Sequence, residues 1–229
     1  MRYLAVGDIH GCCRALVNLA AFVPFESDDV VITLGDYVDR GPQSRDVLDW
    51  LIAFRASHHL IALRGNHDVM MVQARDNPLD MPFWLGFGGM ETLVSYGRDG
   101  EPATLLDVPA AHWDFLENAC VRYHEIDTHF FVHANAEPNA PLAQQADRIL
   151  YWQRFGHPAP HPSGKVMVCG HTAQANGWPL HAGHAVCLDT KVYETGWLTC
   201  LDVATGVFWQ ANEDGQARLG DLADLPISV

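Results

Sequence analysis

Three short blocks of the sequence combine carboxylates, imidazoles and an amide, and each block follows an apolar run. The blocks are Gly7–Gly11 (GDIHG), Gly35–Gly41 (GDYVDRG) and Gly65–Asp68 (GNHD). Their side chains offer oxygen and nitrogen ligands without thiolates, a set that suits divalent metals such as manganese, iron or zinc. Two such metals held side by side can clamp the attacking and the leaving oxygen of a phosphate ester. The residue types therefore indicate metal-dependent phosphoester chemistry.

The apolar run before each block predicts a buried strand that ends where the ligands begin. Residues two apart in an extended segment point the same way, so Asp8 and His10 can reach one ion together. Asp36 follows the second run, and its two carboxylate oxygens can bridge two ions. Asn66 offers a neutral oxygen after the third run, which leaves its neighbour His67 free for proton transfer.

Two later histidines stand just beyond apolar runs in the same way. His133 ends the run Phe-Phe-Val, and His171 follows the run Val-Met-Val-Cys-Gly. We therefore expect both imidazoles to join the same site.

The elements that must position these residues alternate between strand and helix up to about residue 75. Apolar residues at helical spacing predict helices over 12–22 and 43–56, between the runs that predict strands. A βαβαβ order implies parallel strands joined by right-handed crossovers. Functional sites in such sheets collect at the carboxyl ends of the strands, which is where the three blocks stand.

Residues 76–119 interrupt this alternation and predict a mostly helical cap insertion over the site. Pro109 opens a predicted helix that runs to Ala119. The aromatic residues of 83–87 are expected to pack in the core of the cap, and the alternative is a wall for a nucleobase. The glycine-rich stretch 86–89 lacks the strand, helix and lysine of a phosphate-binding loop, so it is expected to form a bend.

Strands dominate after residue 120, and a single domain over 1–229 accounts for the whole chain. The turn of a final hairpin is expected at Asp202–Gly206, and a loose tail is expected from about Asn212. The predicted strands are 121–126, 129–133, 165–169, 184–189, 197–203 and 206–210.

Composition restricts the possible partners. The chain has 229 residues, 18% of them charged, and a formal net charge of −14. This charge argues against nucleic acid and anionic membranes as partners. No apolar run approaches the length of a membrane span, and the first residues do not form a signal peptide. Cys169, Cys187 and Cys200 lie in apolar runs as expected of buried thiols, so we expect a reducing, cytoplasmic location.

The three blocks and the two later histidines resemble, in this order, the calcineurin-like metallophosphoesterases, and within them the phosphoprotein phosphatases. The likeness runs from Gly7 to about Trp209. It is greatest to bacterial and lambda-phage serine/threonine phosphatases and to symmetrical diadenosine tetraphosphatases. The resemblance implies an α/β fold, a metallophosphatase sandwich of two mixed β-sheets flanked by helices.

The resemblance also implies a dinuclear metal centre. Manganese is the expected metal, and iron and zinc are the alternatives. The implied ligands are Asp8, His10 and Asp36 for the first ion, and Asp36, Asn66, His133 and His171 for the second.

Further roles follow from the same resemblance. His67 would be the general acid, oriented by Asp39. Arg40 would bind the substrate phosphate together with Asn66. Arg154 resembles the family's second phosphate-binding arginine, and the plainer alternative is an arginine in a surface ion pair.

Three positions depart from the usual family pattern. Asp68 stands where many relatives have glutamate, and Asn135 and Lys191 each stand where glycine is common. The first change leaves the chemistry open, because both acids occur in the family. The other two put the shape of the loop after His133 and of the mouth of the site in doubt.

The implied activity is hydrolysis of phosphate monoesters by direct attack of a hydroxide held by two metals, without a covalent phosphoenzyme. Phosphoserine and phosphothreonine in proteins are the expected substrates. The alternative is a bis(5'-nucleosyl)-tetraphosphatase or another nucleotide phosphoesterase. A module that binds phosphoproteins on an inactive phosphatase scaffold is the alternative that is not an enzyme.

Overall fold

The computed structural model describes residues 1–194 and 196–227, which form two mixed β-sheets with helices outside them. The strands, numbered in chain order, are β1 (Tyr3–Val6), β2 (Val30–Thr33), β3 (His59–Ala62), β4 (Tyr123–Glu125), β5 (His129–Val132), β6 (Val166–Cys169), β7 (Leu180–His181), β8 (Ala185–Cys187), β9 (Leu198–Asp202), β10 (Val207–Ala211) and β11 (Ala217–Asp221).

Among the described residues, seven α-helices connect or flank these strands. Several of them are short, and 3₁₀ or π-helical turns extend the helical part of 76–119. The helices are α1 (Cys13–Phe22), α2 (Ser44–Arg55), α3 (Asn66–Asp76), α4 (Met81–Trp84), α5 (Met90–Tyr96), α6 (Ala110–Asp114) and α7 (Asp147–Trp152).

The first sheet has six strands in the order β11-β10-β9-β1-β2-β3. Its strands β1, β2 and β3 are parallel, with Leu4 opposite Val31 and Val31 opposite Leu60. Helices α1 and α2 make the crossovers between them. The remaining three strands are antiparallel to their neighbours. The predicted βαβαβ unit is therefore present.

The second sheet has five strands in the order β4-β5-β6-β8-β7, of which β5, β6 and β8 are parallel. Apolar side chains from both sheets form one buried cluster between them, which includes Ala5, Ile32, Phe131, Val168 and Phe208. The strands consist of nearly continuous apolar residues, such as VVIT in β2 and VMVC in β6. This is the composition expected of strands that are buried on both faces. The predicted sandwich of two mixed sheets is confirmed.

Most sequence-predicted elements are present with slightly different bounds. The helix expected over 109–119 is α6 followed by a π-helical turn at Phe115–Ala119. The hairpin between β9 and β10 is confirmed, and Gly206 donates its backbone N–H to Asp202 O at 2.9 Å. Residues 76–119 are mostly helical, as expected, while their role as a cap stays a prediction.

The prediction of a loose tail from Asn212 is wrong. Strand β11 pairs with β10 along its whole length, and the two join through a turn at 212–216. The Asn212 side chain accepts hydrogen bonds from the backbone of Asp214 and Gln216, and Gly215 has a φ of 81°. Leu219 is 61% exposed, so the strand lacks the buried face that its sequence pattern would have needed. Strand β7 was missed because it has only two residues.

All six cysteines are buried and unpaired, as expected for Cys169, Cys187 and Cys200. Over residues 1–194 and 196–227, every helix is too short or too polar to cross a bilayer.

Candidate metal centre and active site

Six polar residues follow the six parallel strands of the two sheets. Because the carboxyl ends of the strands β1, β2, β3, β5, β6 and β8 meet at one edge of the sandwich, their side chains converge there. In strand order, these residues are Asp8, Asp36, Asn66, His133, His171 and Asp189.

The backbone at this edge is unusual. Six of the seven non-glycine residues with positive φ among those described lie in the loops that follow the parallel strands, and the seventh is Asp99. Such conformations persist only where the surrounding structure holds them, and they cluster at functional sites. The six residues are His10, Asp36, Asp39, Arg40, His171 and Lys191.

Asp36 lies at the centre of the cluster. Its Oδ2 is 3.5 Å from His10 Nε2 and its Oδ1 is 3.4 Å from His133 Nε2. Burial opposes ionisation of this carboxyl group, but the imidazoles of His133, His67 and His10 outweigh burial and hold its pKa below the ordinary range. Asp36 is therefore an ionised carboxylate whose two oxygens face two separate imidazoles.

His10 and His133 both turn a nitrogen lone pair toward this carboxylate. The Nδ1 of His10 is 3.0 Å from Val38 O, and the Nδ1 of His133 is 2.8 Å from Leu34 O. Because a carbonyl oxygen only accepts, each Nδ1 carries a proton, and in the neutral ring each Nε2 has a lone pair. Burial is the largest effect on both imidazoles and lowers their pKa. A backbone partner that fixes the tautomer is typical of histidines that bind metals.

Besides the two contacts at Asp36, a third group of lone pairs that point toward one another lies at Asn66. Its Oδ1 is 2.9 Å from His133 Nε2 and 2.9 Å from His171 Nδ1. His171 donates its Nε2–H to Trp152 O at 3.1 Å, so its Nδ1 is also unprotonated. Burial, followed by the neighbouring His133, lowers the pKa of His171 to about 4. Three acceptor atoms that face one another in this way favour a cation between them.

Asp8 completes the acidic side of the cluster. It is buried, its Oδ2 is 4.0 Å from His10 Nε2, and its carboxylate accepts the backbone N–H of His171 at 2.9 Å. Burial and the nearby carboxylates of Asp189 and Asp36 raise the pKa of Asp8. Buried carboxylates this close together require compensating positive charge.

These donors fit divalent metal ions. Two groups of ligand atoms, each within 4.8 Å of one another, share Asp36: one group adds His10 and His67, and the other adds His133 and His171. Carboxylate, imidazole and amide donors without thiolates suit manganese, iron or zinc. The first group contains His67, where the sequence led us to expect Asp8.

Asp68 links the backbones of the second and third sequence blocks. Its carboxylate accepts the N–H groups of Asp36 at 2.9 Å, Tyr37 at 3.0 Å and Gly65 at 2.8 Å. The bond to Gly65 caps helix α3, as expected of an acid in the first turn. A Cβ on Gly65 would collide with Asp36, so glycine permits the close approach of the two loops.

His67 lies beside this cluster and is oriented by Asp39. The Nδ1 of His67 is 2.8 Å from Asp39 Oδ2, and both side chains are buried. Trp84 donates its Nε1–H to the same carboxylate at 3.0 Å, and Thr92 donates its hydroxyl at 2.8 Å. Burial lowers the pKa of His67, but the carboxylates of Asp36 and Asp39 outweigh burial and raise it.

Arg40 reaches into the cluster from the second block. Its Nη1 donates to His10 Nε2 at 2.9 Å, and its guanidinium lies 4.5 Å from the centre of the Tyr193 ring. The Arg40 backbone N–H donates to Gly88 O at 3.2 Å, which joins this arginine to the segment 76–119. The structure thus places the positively charged guanidinium group of Arg40 beside the candidate metal ligands.

Arg154 is exposed, and its side chain makes no hydrogen bond or ion pair with the described residues. Only its backbone is held, because Asn135 Nδ2 donates to Arg154 O at 2.9 Å. This bond gives Asn135, which departs from the family pattern, a structural role. Arg154 makes no surface ion pair with the described residues, and its contact with a substrate phosphate stays a prediction.

The aromatic residues of 83–87 divide into two groups. Trp84 is fully buried, as expected for cap core, but Phe83 is 53% exposed and Phe87 is 42% exposed. Phe87 lies 6.3 Å from the His67 ring, and Phe83 lies 4.8 Å from Phe87 and 6.4 Å from Trp152. The expectation of core packing is therefore wrong for the two phenylalanines, which line the surface next to His67.

Sequence reasoning missed four residues of this region. Asp189 ends the predicted strand 184–189, a signal similar to the one that singled out the candidate ligands. Its Oδ2 is buried without a hydrogen-bond partner among the described residues, and burial raises the pKa of its carboxyl group to about 6. Trp84, Thr92 and Tyr193 reach the site through contacts between distant segments, for which the sequence holds no signal.

Comparison with known families settles the relationship. The family model for calcineurin-like phosphoesterases matches residues 1–195. The chain belongs to this family. The symmetrical bis(5'-nucleosyl)-tetraphosphatase of Paracidovorax citrulli is 45% identical over 75 residues, which is 32% of this phosphoesterase and 26% of that relative. Serine/threonine-protein phosphatase 1 of Salmonella typhimurium is 39% identical over 85 residues, 37% of each chain. The matched segments thus span about a quarter to a third of these curated relatives.

Solved structures show the same fold over nearly the whole phosphoesterase. A protein assigned as a diadenosine tetraphosphatase superposes with a TM-score of 0.65 and 19% identity, covering 96% of this chain and 93% of its own. A serine/threonine phosphatase from Saccharomyces cerevisiae gives a TM-score of 0.56 and 14% identity, covering 99% and 81%. At these identities the likeness concerns the fold alone.

Proposed function

We propose that this phosphoesterase hydrolyses its substrate with two divalent metal ions bound around Asp36. The observation that supports this proposal most strongly is that each Asp36 oxygen faces the Nε2 of a separate imidazole, from His10 and His133. Such ions, when bound, polarise the phosphate oxygens and activate water. The proposed metal is manganese, with iron and zinc as alternatives. The proposed ligands are Asp8, His10 and Asp36 for one ion, and Asp36, Asn66, His133 and His171 for the other.

His67 is the proposed general acid. Its Nδ1 is occupied by Asp39, so its Nε2 is the nitrogen available to give a proton to the leaving oxygen. The nearby carboxylates of Asp36 and Asp39 raise its pKa, which favours the protonated ring. A protonated imidazole is a poor metal ligand, so the acid role suits His67 better than a place in the metal shell.

Arg40 is the proposed anchor of the substrate phosphate. Its guanidinium is always charged and offers paired N–H donors that match phosphate oxygens. Asn66 supports the same group, because its oxygen faces the imidazoles while its amide nitrogen makes no hydrogen bond with the described residues. Arg154 is the proposed second arginine, since its exposed side chain is free to swing toward a bound phosphate.

A nucleoside polyphosphate, such as a bis(5'-nucleosyl) tetraphosphate, is the proposed substrate. The supporting observation is the pair of exposed rings, Phe83 and Phe87, beside His67. Stacking of a base on an aromatic side chain contributes about 1–3 kcal/mol. Relatives named as symmetrical tetraphosphatases support the same class. This proposal reverses the preference expected from the sequence, which assumed that these rings were buried.

A phosphoserine or phosphothreonine protein is the second candidate substrate. It is supported by the relative named serine/threonine-protein phosphatase 1, which matches over 37% of this chain. The two candidates share the proposed metal chemistry and differ only in what lies beyond the phosphate.

The test compares kcat/KM for diadenosine tetraphosphate and for a phosphothreonine peptide in the same manganese-containing buffer. We expect the dinucleotide to be the better substrate. Replacing both Phe83 and Phe87 with Ala should lower its kcat/KM about five- to hundredfold, in line with the loss of base stacking. Hydrolysis of p-nitrophenyl phosphate should change little.

Leu79→Ala is the matched control, because Leu79 is an 85% exposed apolar residue of the same segment. A higher kcat/KM for the peptide, with no effect of the double substitution on the dinucleotide, would favour the second candidate. No hydrolysis of any of the three compounds would reject both.

A further inference from the structure

Residues 189–194, which follow strand β8, are held by hydrogen bonds and an ion pair. The backbone N–H of Lys191 donates to Asp189 Oδ1 at 3.0 Å, and Lys191 Nζ pairs with Glu194 Oε2 at 2.8 Å. Trp197 donates its backbone N–H to Thr190 O at 3.1 Å. Lys191 adopts a φ of 61°, a backbone conformation that glycine adopts more readily than other residues.

This loop places Tyr193 between two residues of the site. The face of its ring lies 4.5 Å from the Arg40 guanidinium, and its ring is perpendicular to that of His10, with the centres 5.0 Å apart. Tyr193 is partly buried against the core. Within the described part of the chain its hydroxyl makes no hydrogen bond, and burial raises its pKa to about 12. The ring, not the hydroxyl, therefore makes the contacts.

We propose that Tyr193 is a positioning residue that orients Arg40 toward the substrate phosphate. The inference rests on the phosphate-binding role proposed for Arg40. A long arginine side chain has many rotamers, and holding it in one of them costs entropy on substrate binding. A ring against the face of the guanidinium restricts that freedom and leaves the N–H groups at its edge free to bind oxygen. Because His10 Nε2 would bind a metal ion in the loaded protein, Tyr193 is the contact that continues to restrict Arg40 there.

The test measures the binding of inorganic phosphate to manganese-loaded protein by isothermal titration calorimetry. Tyr193→Ala should weaken phosphate binding about 3- to 30-fold, the range that a cation–π contact supplies. Tyr193→Phe should bind like the wild type, because the ring face is retained. In hydrolysis of p-nitrophenyl phosphate, Tyr193→Ala should raise KM more than it lowers kcat, with unchanged manganese content.

A double-mutant cycle with Arg40→Ala separates positioning from general structural loss. If Tyr193 acts through Arg40, then Tyr193→Ala should have little effect on phosphate binding in the Arg40→Ala background. Tyr123→Ala is the matched control, since it truncates a partly buried tyrosine on the edge strand β4. It should leave phosphate binding unchanged.

Three results would overturn the inference: wild-type phosphate binding in Tyr193→Ala, equal losses in Tyr193→Phe and Tyr193→Ala, or additive effects in the cycle. Failure of the underlying proposal looks different. If Arg40→Ala itself binds phosphate like the wild type, the role of Arg40 in the proposed function is wrong, whatever Tyr193 does.

Discussion

Asp39 accepts a hydrogen bond from the Nδ1 of His67 at 2.8 Å, and this pair joins the second and third sequence blocks. The same carboxylate is bound by Trp84 and Thr92, which come from the helical segment 76–119. That segment therefore supplies the donors that hold the residue orienting the proposed acid. The geometry of His67 depends on three separate parts of the chain.

His67→Asn should retain its metal ions and lose about 10²–10⁴ in kcat, the usual range for general acid catalysis. The loss should be smallest for p-nitrophenyl phosphate, because its leaving group needs no proton. Comparing kcat for this compound and for an alkyl phosphate tests the role. A loss of the same size on both substrates would show that His67 does not act as the acid.

Trp84→Phe should lower both stability and turnover. The substitution keeps a buried ring but removes one N–H donor from the Asp39 carboxylate, and a hydrogen bond to a charged group contributes about 1.5–3 kcal/mol. Urea unfolding should show a loss of this order, and kcat should fall while manganese content is unchanged. Trp50→Phe, a partly buried tryptophan on α2, is the matched control. Equal kcat in the two variants would mean that Trp84 only fills space.

Arg154→Lys should weaken substrate binding although the charge is kept, because lysine cannot form the planar fork that arginine presents to phosphate. KM should rise, and metal content should be the same as in the wild type. Arg148→Lys is a suitable control, since Arg148 is an exposed arginine whose Nη2 pairs with Glu137 at 3.2 Å. Wild-type kinetics in both Arg154→Lys and Arg154→Ala would remove Arg154 from the site.

The convergence of the candidate ligands can be predicted well from the sequence, because this convergence depends on local features of the chain. Each apolar run forms a strand, and parallel strands bring the residues after them to one edge. Asp8, Asp36 and His171 meet for this reason, although they are far apart in the chain. The same logic applies to Asp189, which ends a predicted strand but lacked a matching motif.

Other features depend on packing between distant segments and could not be predicted. Nothing in the sequence shows that Trp84 faces Asp39 while its neighbour Phe83 faces solvent, because both are aromatic residues in one short helix. The contact of Tyr193 with Arg40 likewise joins two loops, one from each sheet. Strand β11 was not predicted because none of its residues is buried, so its sequence lacks the alternation of apolar and polar residues that marks a strand.

The central claim is that hydrolysis depends on two metal ions around Asp36. It is tested most directly by measuring the bound metal per chain and the rate of hydrolysis in the same samples. Metal-free wild-type and Asp36→Asn protein are titrated with Mn²⁺, and bound manganese and hydrolysis of p-nitrophenyl phosphate are measured at each step. Asp127→Asn, an exposed acid away from the site, is the control.

We predict that the wild type and the control bind two ions per chain and gain activity as these sites fill, whereas Asp36→Asn loses metal and activity together. Full activity in the metal-free wild type, or in Asp36→Asn without bound manganese, would contradict the account.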